Sequence, residues 1–223
     1  MNADLSSQET AVKAIVFDYG GVLRRDDRAE FEAVDEAAGL PRGSLWTALH
    51  DIPEYRLSRE GKIDLEAFRT AVRAQLARAT GLGEARAKTT LDVLDLRLAA
   101  LPPIERDMRG LLILLRAGGR VKLGLLTNGG PGSSNLLRDT GVAALFDDAI
   151  FSADVGFAKP DPAVFKLAAV RLGVEPASCL VVDDQAHHLE GARTAGLRTH
   201  LFRRGGLADL LERLEKEGAL PRA

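Results

Sequence analysis

Ala14-Ile15-Val16-Phe17-Asp18-Tyr19-Gly20-Gly21-Val22-Leu23 begins with four apolar residues in a row and turns at an acid followed by two glycines. A continuous apolar run of this length reads as a strand buried on both faces, the pattern of a parallel sheet. Two later segments repeat the shape. Leu125-Leu126-Thr127-Asn128 and Leu180-Val181-Val182-Asp183-Asp184 each run from apolar residues into groups able to bind phosphate or metal. A fourth segment, Lys159-Pro160, adds a cation. Ligands of open α/β sheets bind beyond the carboxyl ends of the strands. Asp18, Thr127 and Asp183 are therefore expected on one rim of one sheet.

Outward from these segments the chain divides in two. Lys13 to Asp18 reads as the first strand, after which no convincing strand occurs until beyond Leu98. Phe31, Val34, Ala37 and Ala38 share a helical spacing that Gly39-Leu40-Pro41 breaks. Leu65, Phe68, Val72 and Leu76 form a second set behind Asp64 as N-cap, and Leu91, Leu94, Leu98 and Leu101 a third that Pro102-Pro103 stops. After the prolines, helix and strand alternate. The helices are expected near Arg109–Ala117, Ser133–Thr140, Asp161–Leu172, His187–Ala195 and Leu207–Glu217. The strands are expected near Val121–Leu126, Ala149–Ser152, Ser178–Asp183 and Thr199–Phe202. This rhythm implies a doubly wound, Rossmann-like α/β core with a parallel sheet, spanning 13–25 and 103–223. The all-helical stretch 26–102 is then an insert over the sheet's carboxyl rim, and 1–12 a polar tail.

The chain has 223 residues, enough to bury a full core. Its net charge of −2 points to neither a nucleic acid nor an acidic membrane as partner. No apolar run approaches membrane-spanning length, and the polar start lacks the apolar stretch of a signal peptide, so a cytoplasmic protein is expected. The lone cysteine, Cys179, adjoins Leu180-Val181-Val182 and is expected to be a small buried side chain.

Paired carboxylates at strand ends, with backbone oxygens nearby, suit a hard divalent cation such as Mg²⁺. A carboxylate can also act as a nucleophile and form an aspartyl phosphate. Thr127 offers a hydroxyl, and the Asn128–Gly132 segment offers backbone amides before Ser133 opens a helix. Lys159 supplies positive charge, and Pro160 limits the freedom of the backbone behind it. Each segment alone also reads as an ordinary turn, loop or N-cap. Their convergence on one rim gives them a common chemistry.

In these four motifs the chain resembles the haloacid dehalogenase-like superfamily, in order and over essentially its whole length. Asp18 matches that family's nucleophile, in an Asp-x-Gly-Gly-Val-Leu form. Thr127 matches the hydroxyl residue of the second motif, Lys159 the lysine of the third, and Asp183 with Asp184 the acidic pair of the fourth. The resemblance implies an α-helical cap over 26–102 and a Mg²⁺-dependent phosphatase acting on a small phosphorylated metabolite. It implies a metal shell of Asp18, the Gly20 carbonyl, Asp183 and Asp184, with phosphate held by Thr127, Lys159 and Asn128. A 2-haloacid dehalogenase, which attacks with Asp but uses no metal, is the rival within the family. A catalytically silent phosphometabolite-binding scaffold is the rival outside enzymes.

Two departures stand out. Where phosphatases of this family usually carry an acid, two residues after the nucleophile, this chain has Gly20. The carbonyl contact to metal survives that change and the acid does not. Where Asn or Asp often follows the acidic pair, His188 aligns. His187 and His188 lie in the first turn of a helix, whose dipole disfavours imidazolium, so they are expected to cap, pack or face water. In the insert, Arg56, Arg59 and Lys62 are expected on a solvated face, with reach toward a phosphorylated substrate as the alternative. Trp46 and Tyr55 are expected in the core of the insert.

Overall fold

The computed structural model describes residues 11–25 and 27–221. The chain forms β1 (Ala14–Phe17), then five helices: α1 (Arg28–Ala37), α2 (Ser44–His50), α3 (Pro53–Arg59), α4 (Leu65–Thr80) and α5 (Glu84–Ala100). There follow α6 (Arg106–Gly118), β2 (Lys122–Thr127), α7 (Ser133–Asp139), β3 (Asp148–Phe151), α8 (Ser152–Val155) and α9 (Pro162–Leu172). The chain closes with β4 (Cys179–Asp183), α10 (Ala186–Thr194), β5 (Arg198–Leu201) and α11 (Leu207–Lys216).

All strand pairs are parallel, in the order β3-β2-β1-β4-β5. The expected Rossmann-like α/β fold is present. Strand side chains alternate between faces, and the register sorts them cleanly. Ile15, Phe17, Leu123, Leu125, Leu180 and Val182 face a layer containing Leu111, Leu112, Leu115, Leu210 and Leu214 from α6 and α11. Ala14, Val16, Leu126, Cys179 and Val181 face Val164, Phe165, Ala168, Leu189 and Ala192 from α9 and α10. Gly124 stands within β2 where Leu172 presses on the sheet, and a Cβ there would lie 2.9 Å from Leu172 Cδ1 and 3.2 Å from Val16 Cγ2.

The five helices after β1 build a cluster of their own, with Phe31, Val34, Leu45, Phe68, Val72, Leu76 and Leu94 buried in it. Trp46 and Tyr55 pack against that cluster, as expected. Asp64 caps α4 by accepting from Ala67 N at 2.8 Å, and Gly39, at φ +68°, lies just beyond the end of α1. Asp35 is wholly buried and accepts from Gly43 N and Leu45 N at 2.8 and 3.0 Å, fixing the start of α2. The two connections between insert and core run side by side. Glu105 N donates to Leu23 O at 2.8 Å, and Arg24 Nη2 donates to Leu98 O at 2.6 Å.

Several boundaries shift from those read in the sequence. The third strand starts one residue earlier and ends at Phe151, because Ser152 already opens α8. Helices α2, α3 and α8, of seven, seven and four residues, are too short to show a periodic signal. Of the expected tail, 1–10 lies outside the described residues, but Val12 is 3% exposed and donates to Glu217 O at 3.1 Å, so it belongs to the core. Asp26, at the expected edge of the insert, also lies outside the described residues. Among the described residues no helix is long and apolar enough to cross a membrane.

Candidate active site

The strand order decides where the site falls. The chain leaves β1 toward β2 and β3, then crosses to β4 and β5 on the other side. The switch point therefore lies between β1 and β4, where ligands of such sheets bind. Asp18 follows β1, Thr127 ends β2 and Asp183 ends β4, so the three central strands deliver all three residues to one rim.

Lys159 joins them. Its Nζ lies 2.8 Å from Asp18 Oδ1 and 2.6 Å from Asp183 Oδ2, and all three side chains are nearly inaccessible. Asp18 Oδ1 also accepts from Tyr19 N at 2.7 Å, so both of these contacts fall on one oxygen. Oδ2 is engaged by neither. Asp183 Oδ1 accepts from Gln185 N at 2.9 Å. Two carboxylates against one ammonium leave the cluster one negative charge in excess when all are ionised. Buried charge without a counter-charge is costly, and the ionisation of the groups shifts to relieve it. Burial pushes the Asp18 carboxyl up to about 6, with Lys159 opposing the rise and Asp183 adding to it. Burial acts the same way on Asp183, but Lys159 and His188 outweigh it and hold that carboxyl down at about 2. Burial opposes the Lys159 ammonium, and the two carboxylates more than restore it.

Lys159 is itself placed by Asn128. The Asn128 side chain donates from Nδ2 to Lys159 O and accepts at Oδ1 from Lys159 N, both at 2.9 Å. The sequence suggests Asn128 as a phosphate ligand; its amide clamps the lysine backbone with its oxygen and one N–H and keeps a second N–H. Behind that loop α10 approaches so closely that a Cβ on Gly191 would collide with the Pro160 carbonyl. Thr127 is 8% exposed at the rim, and Ser133 Oγ donates to Gly130 O at 2.7 Å, closing the loop between β2 and α7.

Gly20 and Gly21 have different duties. Gly21 adopts φ +76°, and a Cβ there would run into the carboxylate of Asp184. The second glycine of the first motif thus makes room for the second acid of the fourth. At Gly20 a Cβ would meet nothing within 4 Å.

His188 packs, one of the places expected for it, but its partner, Asp183, is not one that the sequence named. It is 5% exposed, and its Nδ1 lies 3.1 and 3.2 Å from the two oxygens of Asp183. His187 faces water, as expected. The signal was the alignment of His188 with a position often Asn or Asp. Because α10 starts three residues after Asp183, its first turn brings the fifth residue back over the strand end. One ligand atom each from Asp18, Asp183 and His188 lie within 4.8 Å of one another, a donor set that fits a divalent cation.

The insert supplies the outer wall. A cavity of about 650 Å³ is lined by Tyr55, Arg59, Asn128, Phe157 and Lys159, among others. Arg56 and Lys62 both pair with Glu60, at 2.7 and 2.6 Å. Arg59 instead rests on the Tyr55 ring at 4.4 Å and reaches Gly130, where a Cβ would displace its Nη1. Its Nε is buried with no hydrogen-bond partner among the described residues.

A strand-end carboxylate beside a buried lysine and a second buried acid stands on the rim where ligands of such sheets bind. The family follows from comparison: the haloacid dehalogenase-like hydrolase model matches residues 12–196, and this chain belongs to that family. It is 32% identical over 200 residues to phosphatase MT3486 of Mycobacterium tuberculosis (strain CDC 1551 / Oshkosh), covering 88% of this chain and 89% of that protein. It is 31% identical over 203 residues to the (S)-2-haloacid dehalogenase of Pseudomonas sp. (strain YL), covering 87% and 84%. In fold it matches a haloacid dehalogenase family enzyme of Bacteroides thetaiotaomicron, solved with magnesium and inorganic phosphate. That match has a TM-score of 0.62 at 20% identity, covering 87% of this chain and 96% of the other.

Proposed function

We propose that the chain is a divalent-cation-dependent phosphatase that hydrolyses a small phosphorylated metabolite of the cytoplasm through an aspartyl phosphate on Asp18. Two relatives of nearly equal identity carry different activities, so the site must decide. The observation that carries the reading is the donor set of Asp18, Asp183 and His188 beside Lys159. A metal-free displacement of halide gains nothing from extra anionic groups around an already anionic nucleophile. A phosphoryl transfer does, because the cation those groups hold offsets repulsion between Asp18 and the phosphate.

In this reading Asp18 attacks phosphorus, forming the Asp18–phosphorus bond as the ester P–O bond breaks. The leaving alkoxide takes its proton from water, since Gly20 offers no acid. A second water then attacks phosphorus, releasing inorganic phosphate and restoring Asp18. Lys159, the Thr127 hydroxyl and the amides after it meet the phosphoryl oxygens, and Asn128 keeps Lys159 in register. Mg²⁺, the ion the family resemblance implies, would be held by Asp18, the Gly20 carbonyl and Asp183, with Asp184 steadied against Gly21. The helices of 26–102 act as the cap, and a cavity of about 650 Å³ suits a small metabolite.

The test is phosphate release across a panel of phosphorylated metabolites, with Mg²⁺ and with excess chelator, on the wild type and Asp18→Asn. Release that requires the cation and falls by several orders of magnitude in the folded variant is expected. Undiminished release in chelator overturns the cation requirement. Chloride release from 2-chloropropionate under chelator, without phosphatase activity, establishes the dehalogenase instead.

A further inference from the structure

We infer that His188 is itself a ligand of the cation, through Nδ1, and that it turns this site toward first-row transition ions that accept nitrogen, Mn²⁺ among them, in preference to Mg²⁺. The inference rests on the cation-dependent reading above and deepens it.

Three observations converge. First, His188 is buried and addressed to the site, its Nδ1 lying 3.1 and 3.2 Å from the two oxygens of Asp183. Second, Nδ1 is a donor atom in the right place. Opposite ligands of an octahedral ion at ~2.1 Å stand about 4.2 Å apart, and the three donor atoms of Asp18, Asp183 and His188 are all within 4.8 Å of one another. A few tenths of an ångström of closure places them in one shell. Third, Asp18 keeps one oxygen for that shell, while both oxygens of Asp183 carry a contact and would ligate through a remaining lone pair. Lys159 takes Asp183 Oδ2 and Asp18 Oδ1, Gln185 N takes Asp183 Oδ1, and Asp18 Oδ2 stays available.

The chemical consequence follows from donor type. A shell of carboxylates, a backbone carbonyl and water suits Mg²⁺, which demands oxygen and keeps its waters. A neutral imidazole adds no charge to attract Mg²⁺ but adds a donor that first-row transition ions accept. Mn²⁺ stands lowest among the first-row ions in affinity for nitrogen, but it is suited to carboxylates as Mg²⁺ is and gains more than Mg²⁺ from an imidazole. Ligation uses the Nδ1 lone pair and so requires the tautomer with its proton on Nε2. The competing role, Nδ1–H donating to Asp183 to orient it, gives no metal–nitrogen bond.

The experiment uses the full chain and the metals alone. Isothermal titration with MnCl₂ and with MgCl₂ is carried out on the wild type and His188→Asn, and pulsed electron paramagnetic resonance is recorded on the Mn²⁺-loaded proteins. The expected result is tighter Mn²⁺ than Mg²⁺ binding, with a directly bound ¹⁴N coupling in the wild type that is absent in the variant. Mn²⁺ affinity should fall about tenfold or more in His188→Asn, with Mg²⁺ affinity moving less. Absence of the ¹⁴N coupling in Mn²⁺-loaded wild type overturns the proposal, as does an unchanged Mn²⁺/Mg²⁺ ratio in the variant or failure of Mn²⁺ to bind at all. Should His188→Asn not fold, the wild-type spectrum alone decides. Cation-dependent phosphate release without the coupling removes His188 and keeps the phosphatase. The coupling without phosphate release from any substrate keeps His188 and removes the phosphatase.

Discussion

The adjacent glycines after Asp18 are opposites in what they tolerate. Gly21 pairs a left-handed φ of +76° with direct crowding by the Asp184 carboxylate, so any side chain there is strained twice. Gly21→Ala should cost about 1–3 kcal/mol of stability from the backbone alone, visible as a lower Tm, and should displace Asp184. Gly20→Ala should leave the Tm unchanged, because its Cβ meets nothing within 4 Å. Equal losses in the two variants would show that neither the left-handed φ nor the crowding by Asp184 constrains Gly21. The same open space bears on the missing acid. General acid catalysis is worth ~10²–10⁴-fold, and its absence falls hardest on substrates with basic leaving groups. Rates should therefore rise steeply as leaving-group pKa falls, and Gly20→Asp should help alkyl phosphates more than aryl ones. A leaving-group series on both proteins measures this, and equal slopes would mean that another group already serves as acid.

Among the elements, the loop after α3 is where the insert meets the core. Gly61 sits there because a Cβ would collide with the Ala153 carbonyl of α8, seating the insert against the core rim. Beside it three cations are sorted by their partners. Glu60 takes Arg56 and Lys62, while Arg59 is held by the Tyr55 ring over Gly130. A cation held by an aromatic face rather than by an acid keeps its donors for a ligand. Arg59→Ala should accordingly raise KM by about tenfold or more, the scale of one charge-assisted hydrogen bond, with a smaller effect on kcat. Arg56→Ala, which is exposed and loses only a surface pair, should change neither. Steady-state kinetics on the best substrate of the panel decides this, and equal effects would show that the loop acts only through its total charge. None of this sorting was legible in the sequence, where Arg56, Arg59 and Lys62 look alike. Long apolar runs, glycine stops and the caps at Asp64 and Asp161 were legible because each is a local signal. The partnership of His188 with Asp183 and the clamp of Asn128 on Lys159 depend on how separate loops meet, which local patterns do not encode.

Taken whole, the molecule puts its single cysteine at the amino end of β4 and its site at the carboxyl end of the same strand, so one can report on the other. Cys179 opens β4, the strand that Asp183 closes, and is wholly buried with its thiol pushed up to about 12 by burial. The nucleophile in alkylation is the thiolate, so native Cys179 should be inert at pH 8 and react only when the core opens. A cation held at Asp18 and Asp183, as proposed, would link β1 to β4 across the switch point and would bind the folded chain alone. Such a ligand at 100 times its Kd stabilises the folded state by about 2.7 kcal/mol, which is a ~100-fold fall in the open population. Alkylation by iodoacetamide, under conditions where closing outpaces labelling, should therefore slow ~100-fold when MnCl₂ reaches that concentration. The protection should disappear in Asp183→Asn, which lacks one of the two linking carboxylates. Labelling that slows equally in that variant would place the stabilising ion elsewhere. Labelling that ignores the ion would mean that β4 opens at its Cys179 end without disturbing the rim that carries Asp183.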